Sequence, residues 1–114
     1  MSTYRKPDVF MEASDLRQLM GRGDQVVIVD VRSAEEFADR HVETAINIPG
    51  EQLAARACEF STDSIIVTVC NFGVSRSRAA AELLQTMGYD KAIPLAGGIS
   101  GWQEDEGQDD KNAV

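Results

Sequence analysis

The segment from Cys70 to Ser77 combines residue types that could make a reactive thiol. It reads Cys-Asn-Phe-Gly-Val-Ser-Arg-Ser, with Gly73 in its middle and Arg76 near its end. A cysteine reacts as the thiolate, and a free thiol, with a pKa near ~8.5, is mostly protonated at neutral pH. Converging backbone N–H groups, the positive end of a following helix and the Arg76 guanidinium would each favour the thiolate. The segment therefore predicts a nucleophilic Cys70 in a cradle that also binds oxyanions.

The elements on either side of this segment would place Cys70 where ligands bind. Ile65–Val69 is a short apolar, β-branched run typical of a buried strand, and it ends at Cys70. Arg76–Met87 has apolar residues at helical spacing, and Gly88 is suited to end that helix. Ligands of open α/β sheets bind at the carboxyl ends of strands. A buried structural cysteine is the alternative, but a glycine in the connecting turn favours a tightly wrapped, functional loop.

Strands and helices alternate along the rest of the chain. Val26–Val31 is apolar at nearly every position, which is typical of a strand buried on both faces. Ser33 and Glu36 match a capping box and predict a short helix after it. Further strands are expected at Val9–Met11, Ala45–Ile48 and Ala92–Leu95, and further helices around Leu16–Met20, Gln52–Cys58 and Trp102. The pattern predicts an α/β fold with a central parallel sheet of about five strands and helices on both faces.

Composition limits the function classes that remain. The 114 residues suit one domain, and a net charge of −8 argues against binding to nucleic acid or to an anionic membrane. No apolar run approaches the ~20 residues of a membrane span, and the N-terminal residues lack the apolar stretch of a secretory signal. We expect a cytoplasmic protein with a flexible segment 1–8, a domain 9–103 and an acidic, disordered tail 104–114.

The other residues capable of chemistry are few. The chain has two cysteines, Cys58 and Cys70, and the single histidine His41. A disulfide is unfavourable in a reducing cytoplasm, and these residues are too few for a zinc cluster, so no metal or other cofactor is expected. Cys58 is expected to pack on its helix, with a role as resolving thiol for Cys70 as the alternative. His41 is expected to make structural hydrogen bonds.

Three sequence blocks, in order, resemble the rhodanese-like domain family over roughly residues 9–103. The first contains Val29-Asp-Val-Arg32, Glu36-Phe37, His41-Val42, Ala45 and Asn47-Ile-Pro49; the second, Cys70, Gly73 and Arg76-Ser77; the third, Gly97-Gly98-Ile99 and Trp102. Each block alone is weak evidence for the family, but the three blocks together, in order and at the spacing of the family, are specific for it.

The resemblance implies a sulfurtransferase that needs no cofactor. Cys70 would attack the outer sulfur of a donor anion such as thiosulfate, become a persulfide and release sulfite. Cyanide or a thiol, including a thioredoxin-like or sulfur-relay protein, would then accept the sulfur in a ping-pong reaction. Asp30 and Arg32 would form an ion pair near the site or in the structure around it. The substrate cradle implied by the resemblance comprises Asn71, Phe72, Gly73, Val74, Ser75 and Arg76.

The chain departs from the family pattern in two places. Arg40 and Thr44 replace glycines of a connecting segment, where they are expected to change turns and not chemistry. In the active loop, Arg76 follows Cys70 by six residues, whereas the common sulfurtransferase form has arginine five residues after cysteine. The longer Cys-x5-Arg loop resembles that of phosphatases and arsenate reductases of the same fold.

Two alternatives to a sulfurtransferase therefore stay open. A phosphatase or arsenate reductase is favoured by the loop length, but Val69 stands where those phosphatases usually have histidine. Residues 71–75 also contain no general acid, from which phosphate ester cleavage would benefit. A non-catalytic sulfur-relay or interaction module is the other alternative. Phe72 at the loop tip is expected either to line the substrate mouth or to dock a partner.

Overall fold

The computed structural model describes residues 10–22, 25–73 and 75–103. The predicted flexible N-terminus and acidic tail lie outside these residues. Residues 98–103 are helical. The preceding elements are α1 (Ala13–Arg22), β1 (Val26–Asp30), α2 (Ala34–Asp39), β2 (Ile46–Asn47), α3 (Gly50–Arg56), a 3-10 turn (Ala57–Glu59), β3 (Ile65–Val69), α4 (Arg76–Thr86) and β4 (Ala92–Pro94).

The strands form a parallel sheet in the order β2-β1-β3-β4. In place of the fifth strand that was predicted at Val9–Met11, the described residues contain an isolated parallel bridge between Met11 and Leu95. The α/β fold with a central parallel sheet is confirmed. Because Asp30 pairs in register with Val69, the last residues of β1 and β3 meet at one edge, where Cys70 follows.

Helices cover both faces of the sheet, as predicted. Side chains alternate between the faces of a strand, so Val29 and its neighbour Ile28 enter two different core clusters. The cluster on the α3 and α4 face includes Val29, Leu53, Ile66, Cys70 and Leu84. The cluster on the α1 face includes Leu16, Ile28, Val67, Ile99 and Trp102. Burial of both strand faces explains why β1 and β3 lack polar alternation.

The capping box at the start of α2 is confirmed. The Glu36 N–H donates to Ser33 Oγ, and the Ser33 N–H donates to Glu36 Oε1 at 3.0 Å. Two N–H groups that the helix cannot pair internally are thereby satisfied. Because α2 follows β1, the cap holds the Glu36 carboxylate near the carboxyl edge of the sheet.

Thr44 has a backbone φ of +68°. This is the left-handed region, which glycine enters freely and which is strained for a β-branched residue. Thr44 stands where the family pattern has glycine, so the turn has a glycine-type conformation although the side chain is threonine.

The expectation that Cys58 packs as part of a helix is wrong. The chain tightens from α3 into the 3-10 turn, and this rotation buries Ala57 while Cys58 becomes exposed. Neither Cys58 nor Cys70 forms a disulfide. His41 makes local contacts, as expected: its Nδ1 lies 2.7 Å from Phe37 O, and its ring stacks on the Phe37 ring.

Among the described residues, every helix is too short or too polar to traverse a lipid bilayer.

Candidate active site

Cys70 follows β3 directly and is only 4% exposed. Its thiol donates a hydrogen bond to Ser77 Oγ, with 3.3 Å between sulfur and oxygen. Ser77 is fully buried in the first turn of α4, and Thr68 Oγ1 donates to its carbonyl at 2.7 Å. These bonds join the end of β3 to the start of α4. A serine hydroxyl is both donor and acceptor, so the Ser77 hydroxyl can reverse its role and donate to a Cys70 thiolate.

The loop carbonyls are held by the C-terminal part of the chain. The Ile99 N–H donates to Cys70 O at 2.9 Å, and the Ser100 N–H donates to Asn71 O at 3.1 Å. Carbonyl oxygens carry partial negative charge and would repel an anion at the sulfur. Their hydrogen bonds to the helix at 98–103 weaken that repulsion.

Two glycines allow this close contact between backbones. Gly73 and Gly98 have φ values of +73° and +58°. A Cβ on Gly73 would lie 2.6 Å from Leu95 O, and a Cβ on Gly98 would overlap Cys70 O. Glycine is therefore required at both positions. Gly73 was assigned to the cradle from the sequence, but Gly98 was named only within the third block of the family resemblance.

A pocket of about 140 Å³ opens at the thiol, and Cys70, Asn71, Phe72, Ser75 and Arg76 line it. Five of the residues proposed from the sequence are thus brought together. Gly73 does not line the pocket but packs its backbone against Gly98. The side chain of Phe72 is 68% exposed at the mouth of the pocket. Arg76 begins α4 and is half exposed. Val74 lies outside the described residues.

Asp30 and Arg32 form a buried ion pair, with 2.8 Å between Arg32 Nη2 and Asp30 Oδ2. Arg32 also donates from Nη1 to Asn71 Oδ1 at 3.2 Å and from Nη2 to Arg40 O at 2.6 Å. The hydrogen bonds to Asp30 raise the pKa of Arg32 despite the opposing effect of burial. Arg32 therefore stays a fixed positive charge that orients the Asn71 amide.

Glu36 completes this network and was not among the predicted site residues. Asn71 Nδ2 donates to Glu36 Oε2 at 2.9 Å, and Arg76 Nη2 lies 3.7 Å from the same oxygen. The hydrogen bond from Asn71, followed by that from the Ser33 backbone, lowers the pKa of Glu36 to about 2. Its position at the start of a helix that follows β1 was the available signal, since that end of α2 lies at the same sheet edge as Cys70.

Within the described residues, no three His, Cys, Asp or Glu side chains lie where they could hold a metal ion together. The side chains at the pocket place the thiol beside a hydroxyl, an amide and a guanidinium. Such a group of side chains suits nucleophilic attack by sulfur on an anionic molecule.

Comparison with known proteins identifies the family. The family model described as "Rhodanese-like domain" matches residues 12–105. The chain belongs to the rhodanese-like domain family. This rhodanese-like domain is 36% identical over 85 residues to the thiosulfate sulfurtransferase GlpE of Shewanella oneidensis, covering 75% of this chain and 83% of that protein. Together with other relatives named sulfurtransferase or sulfur carrier protein, this places the domain in a sulfurtransferase family.

Two further proteins are similar to the chain, one in fold and one in sequence. A rhodanese-related protein of Thermoplasma volcanium has a TM-score of 0.74 at 28% identity, covering 90% of this chain and 93% of its own. The mitochondrial protein HIGH ARSENIC CONTENT 1 of Arabidopsis thaliana is 37% identical over an alignment of 86 residues, with coverage of 65% of this chain and 50% of that protein.

Proposed function

We propose that the protein is a cytoplasmic sulfurtransferase that carries sulfur as a persulfide on Cys70. The observation that carries the proposal is a nearly buried thiol at the end of a central strand, opening on a small pocket that Arg76 lines. The relative named thiosulfate sulfurtransferase supports thiosulfate as a donor. A persulfide that fits the same pocket would also serve as a donor.

In the first half-reaction, the Cys70 thiolate attacks the outer sulfur of thiosulfate. A bond forms between Sγ and that sulfur, while the bond between the two sulfurs of thiosulfate breaks. The electron pair of the broken bond leaves with sulfite. Arg76 stabilises the oxyanion, and the Ser77 hydroxyl donates to the attacking sulfur.

In the second half-reaction, cyanide or a thiolate attacks the outer sulfur of the persulfide. The bond from Sγ to that sulfur breaks, and Cys70 is regenerated as a thiolate. No external oxidant or reductant is needed for either half. A thioredoxin-like or sulfur-relay protein is a further acceptor in this proposal, and the exposed side chain of Phe72 would contact it.

Intact mass spectrometry after incubation with thiosulfate tests the proposal. We expect a gain of one sulfur atom, its loss on addition of cyanide, and no gain in Cys70→Ser. Cys58→Ser is the matched control, since Cys58 is the second free cysteine and is exposed; it should gain sulfur like the parent. Equal loading of Cys70→Ser would overturn the assignment of Cys70.

A second candidate function is favoured by the length of the active loop. Five residues separate Cys70 from Arg76, and α4 begins at Arg76 itself. A longer loop suits a tetrahedral oxyanion such as arsenate or phosphate, and one relative has a name that refers to arsenic. Turnover of arsenate with an added thiol, or of a phosphate ester, without persulfide formation would favour this candidate. If neither chemistry is seen, the non-catalytic sulfur-relay or interaction module is favoured.

A further inference from the structure

An apolar cleft lies between α3 and α4, beside the thiol pocket. Its volume is about 310 Å³, more than twice that of the thiol pocket. Arg76 lines both cavities, so they are neighbours. The apolar side chains along the cleft are Val31, Leu53, Ala79, Ala80 and Leu83.

The cleft and the thiol lie on the same face of the sheet. Cys70 belongs to the core cluster that also contains Val31, Leu53 and Ala80. The outer wall is more open, because Ala79 is exposed and Leu83 is 36% exposed. A molecule can therefore lie against Leu83 from solvent without unfolding of the core.

We infer that this cleft binds the carbon skeleton of the sulfur acceptor, and that the acceptor is a small aliphatic or aromatic thiol. The inference rests on the proposed function, because it assigns the substrate of the second half-reaction. The volume is within the range of small-molecule sites, and the lining is mostly apolar with few polar groups, as in such sites.

The charges around the cleft fit the thiolate form of such an acceptor. Arg76 lines both the cleft and the thiol pocket, so its guanidinium would attract a thiolate that approaches the persulfide. Glu51 lies at the cleft as well, and the protein has a net charge of −8. An acidic peptide thiol such as glutathione would meet repulsion there and would leave the apolar surface uncovered.

The transfer is balanced without another reactant. The acceptor thiolate attacks the outer sulfur of the Cys70 persulfide, and a new sulfur–sulfur bond forms. The bond from Sγ to the outer sulfur breaks, and its electron pair stays on Cys70. The acceptor departs as a persulfide, and the Cys70 thiolate is ready for another donor.

The kinetic test measures the discharge of the loaded protein. The persulfide is formed with thiosulfate, excess donor is removed, and the loss of sulfur is followed with straight-chain thiols from ethanethiol to hexanethiol. We expect the second-order rate constant to rise about three- to fourfold per methylene until the cleft is filled. Glutathione should be slower than hexanethiol, and equal rates along the series would overturn the inference.

Substitutions on the outer wall of the cleft distinguish a loss of acceptor binding from a general loss of sulfur transfer. Leu83→Asn should reduce the ratio of the hexanethiol rate to the cyanide rate, and Ala79→Leu should reduce it by filling the cleft. Met87→Ala is the matched control, because Met87 is a similarly exposed apolar residue beyond the end of α4 and is not part of the cleft. An unchanged ratio in both cleft variants would count against the inference.

A binding measurement tests the cleft independently of sulfur transfer. Hexanol has an apolar chain like that of hexanethiol but does not react with a persulfide. In NMR titrations of the unloaded protein, we expect saturable shifts of the Leu53 and Leu83 methyl signals. If thiosulfate fails to load Cys70, the proposed function fails, whereas the absence of these shifts overturns the cleft assignment alone.

Discussion

The Cys70 thiol and the Ser77 hydroxyl lie 3.3 Å apart across the loop that joins β3 to α4. Since Ser77 is fully buried, its hydroxyl has little competition from water for this bond. A hydrogen bond to a charged group contributes about 1.5–3 kcal/mol. Ser77 should therefore increase the fraction of Cys70 that is ionised at neutral pH.

Ser77→Ala should slow the alkylation of Cys70 at pH 7 by about tenfold, because the hydrogen bond to the thiolate is lost. The rate with iodoacetamide is measured in a Cys58→Ser background over a range of pH. Thr86→Ala is the control, since it removes a hydroxyl from the other end of α4. An identical pH profile for Ser77→Ala and the parent would show that the hydroxyl does not stabilise the thiolate.

Gly98→Ala should destabilise the fold by about 3 kcal/mol or more, because the new methyl group meets rigid backbone at an already unfavourable φ. Urea denaturation gives the free energy of unfolding. The same substitution at Gly21 supplies the control: this residue lies in α1 with no atom close to an added Cβ. Gly21→Ala should stabilise by about 0.5–1 kcal/mol, and a similar effect at both positions would contradict the prediction.

The Glu36 carboxylate should make the free energy of unfolding depend on pH in the acid range. Its pKa is lowered from 4.5 to about 2 in the folded protein, so its contribution is present above pH 4.5. That contribution is lost as the pH falls toward 2, where the folded carboxylate also takes up a proton. Denaturant titrations should show that Glu36→Gln is less stable than the parent at neutral pH and that the difference shrinks between pH 4.5 and 2. Glu35→Gln, at the adjacent exposed position, is the control, and a constant difference for Glu36→Gln would refute the assignment.

Thr44→Gly should increase the free energy of unfolding by roughly 0.5–1 kcal/mol. The left-handed conformation costs a non-glycine residue about 1–2 kcal/mol, and the greater freedom of glycine in the unfolded chain offsets part of that gain. Thermal denaturation compares this variant with Thr62→Gly, a change at an exposed turn position without the positive φ. Thr62→Gly should be neutral or destabilising, and destabilisation by Thr44→Gly would contradict the argument.

The parts of the fold with a strong local signal could be predicted from sequence. β3 was predicted with its observed bounds, because a continuous run of apolar residues indicates a strand that is buried on both faces. The start of α4 at Arg76 and the capping box of Ser33 and Glu36 could also be predicted, because each depends on residues that are close together in the sequence. Cys58 was misplaced because a change from α-helix to 3-10 turn rotates a residue by an amount that composition does not reveal.

The interior of the candidate site was harder to predict, because it is assembled from distant segments. Asn71 bonds to both Arg32 and Glu36, and these contacts depend on how α2 lies over the loop. Nothing within residues 70–77 specifies that arrangement. The contact of Gly98 with the loop likewise depends on the return of the chain after β4.

The close fit between Gly73 and Gly98 bears on how the protein is made. Residues 98–100 supply the backing and the hydrogen bonds for a loop that leaves the ribosome well before them. A nascent chain that has been synthesised only as far as α4 already holds its cysteine but lacks that support. Assembly of the loop must therefore wait for the last helical segment, so a chain truncated before it would carry the thiol without the shape that controls it.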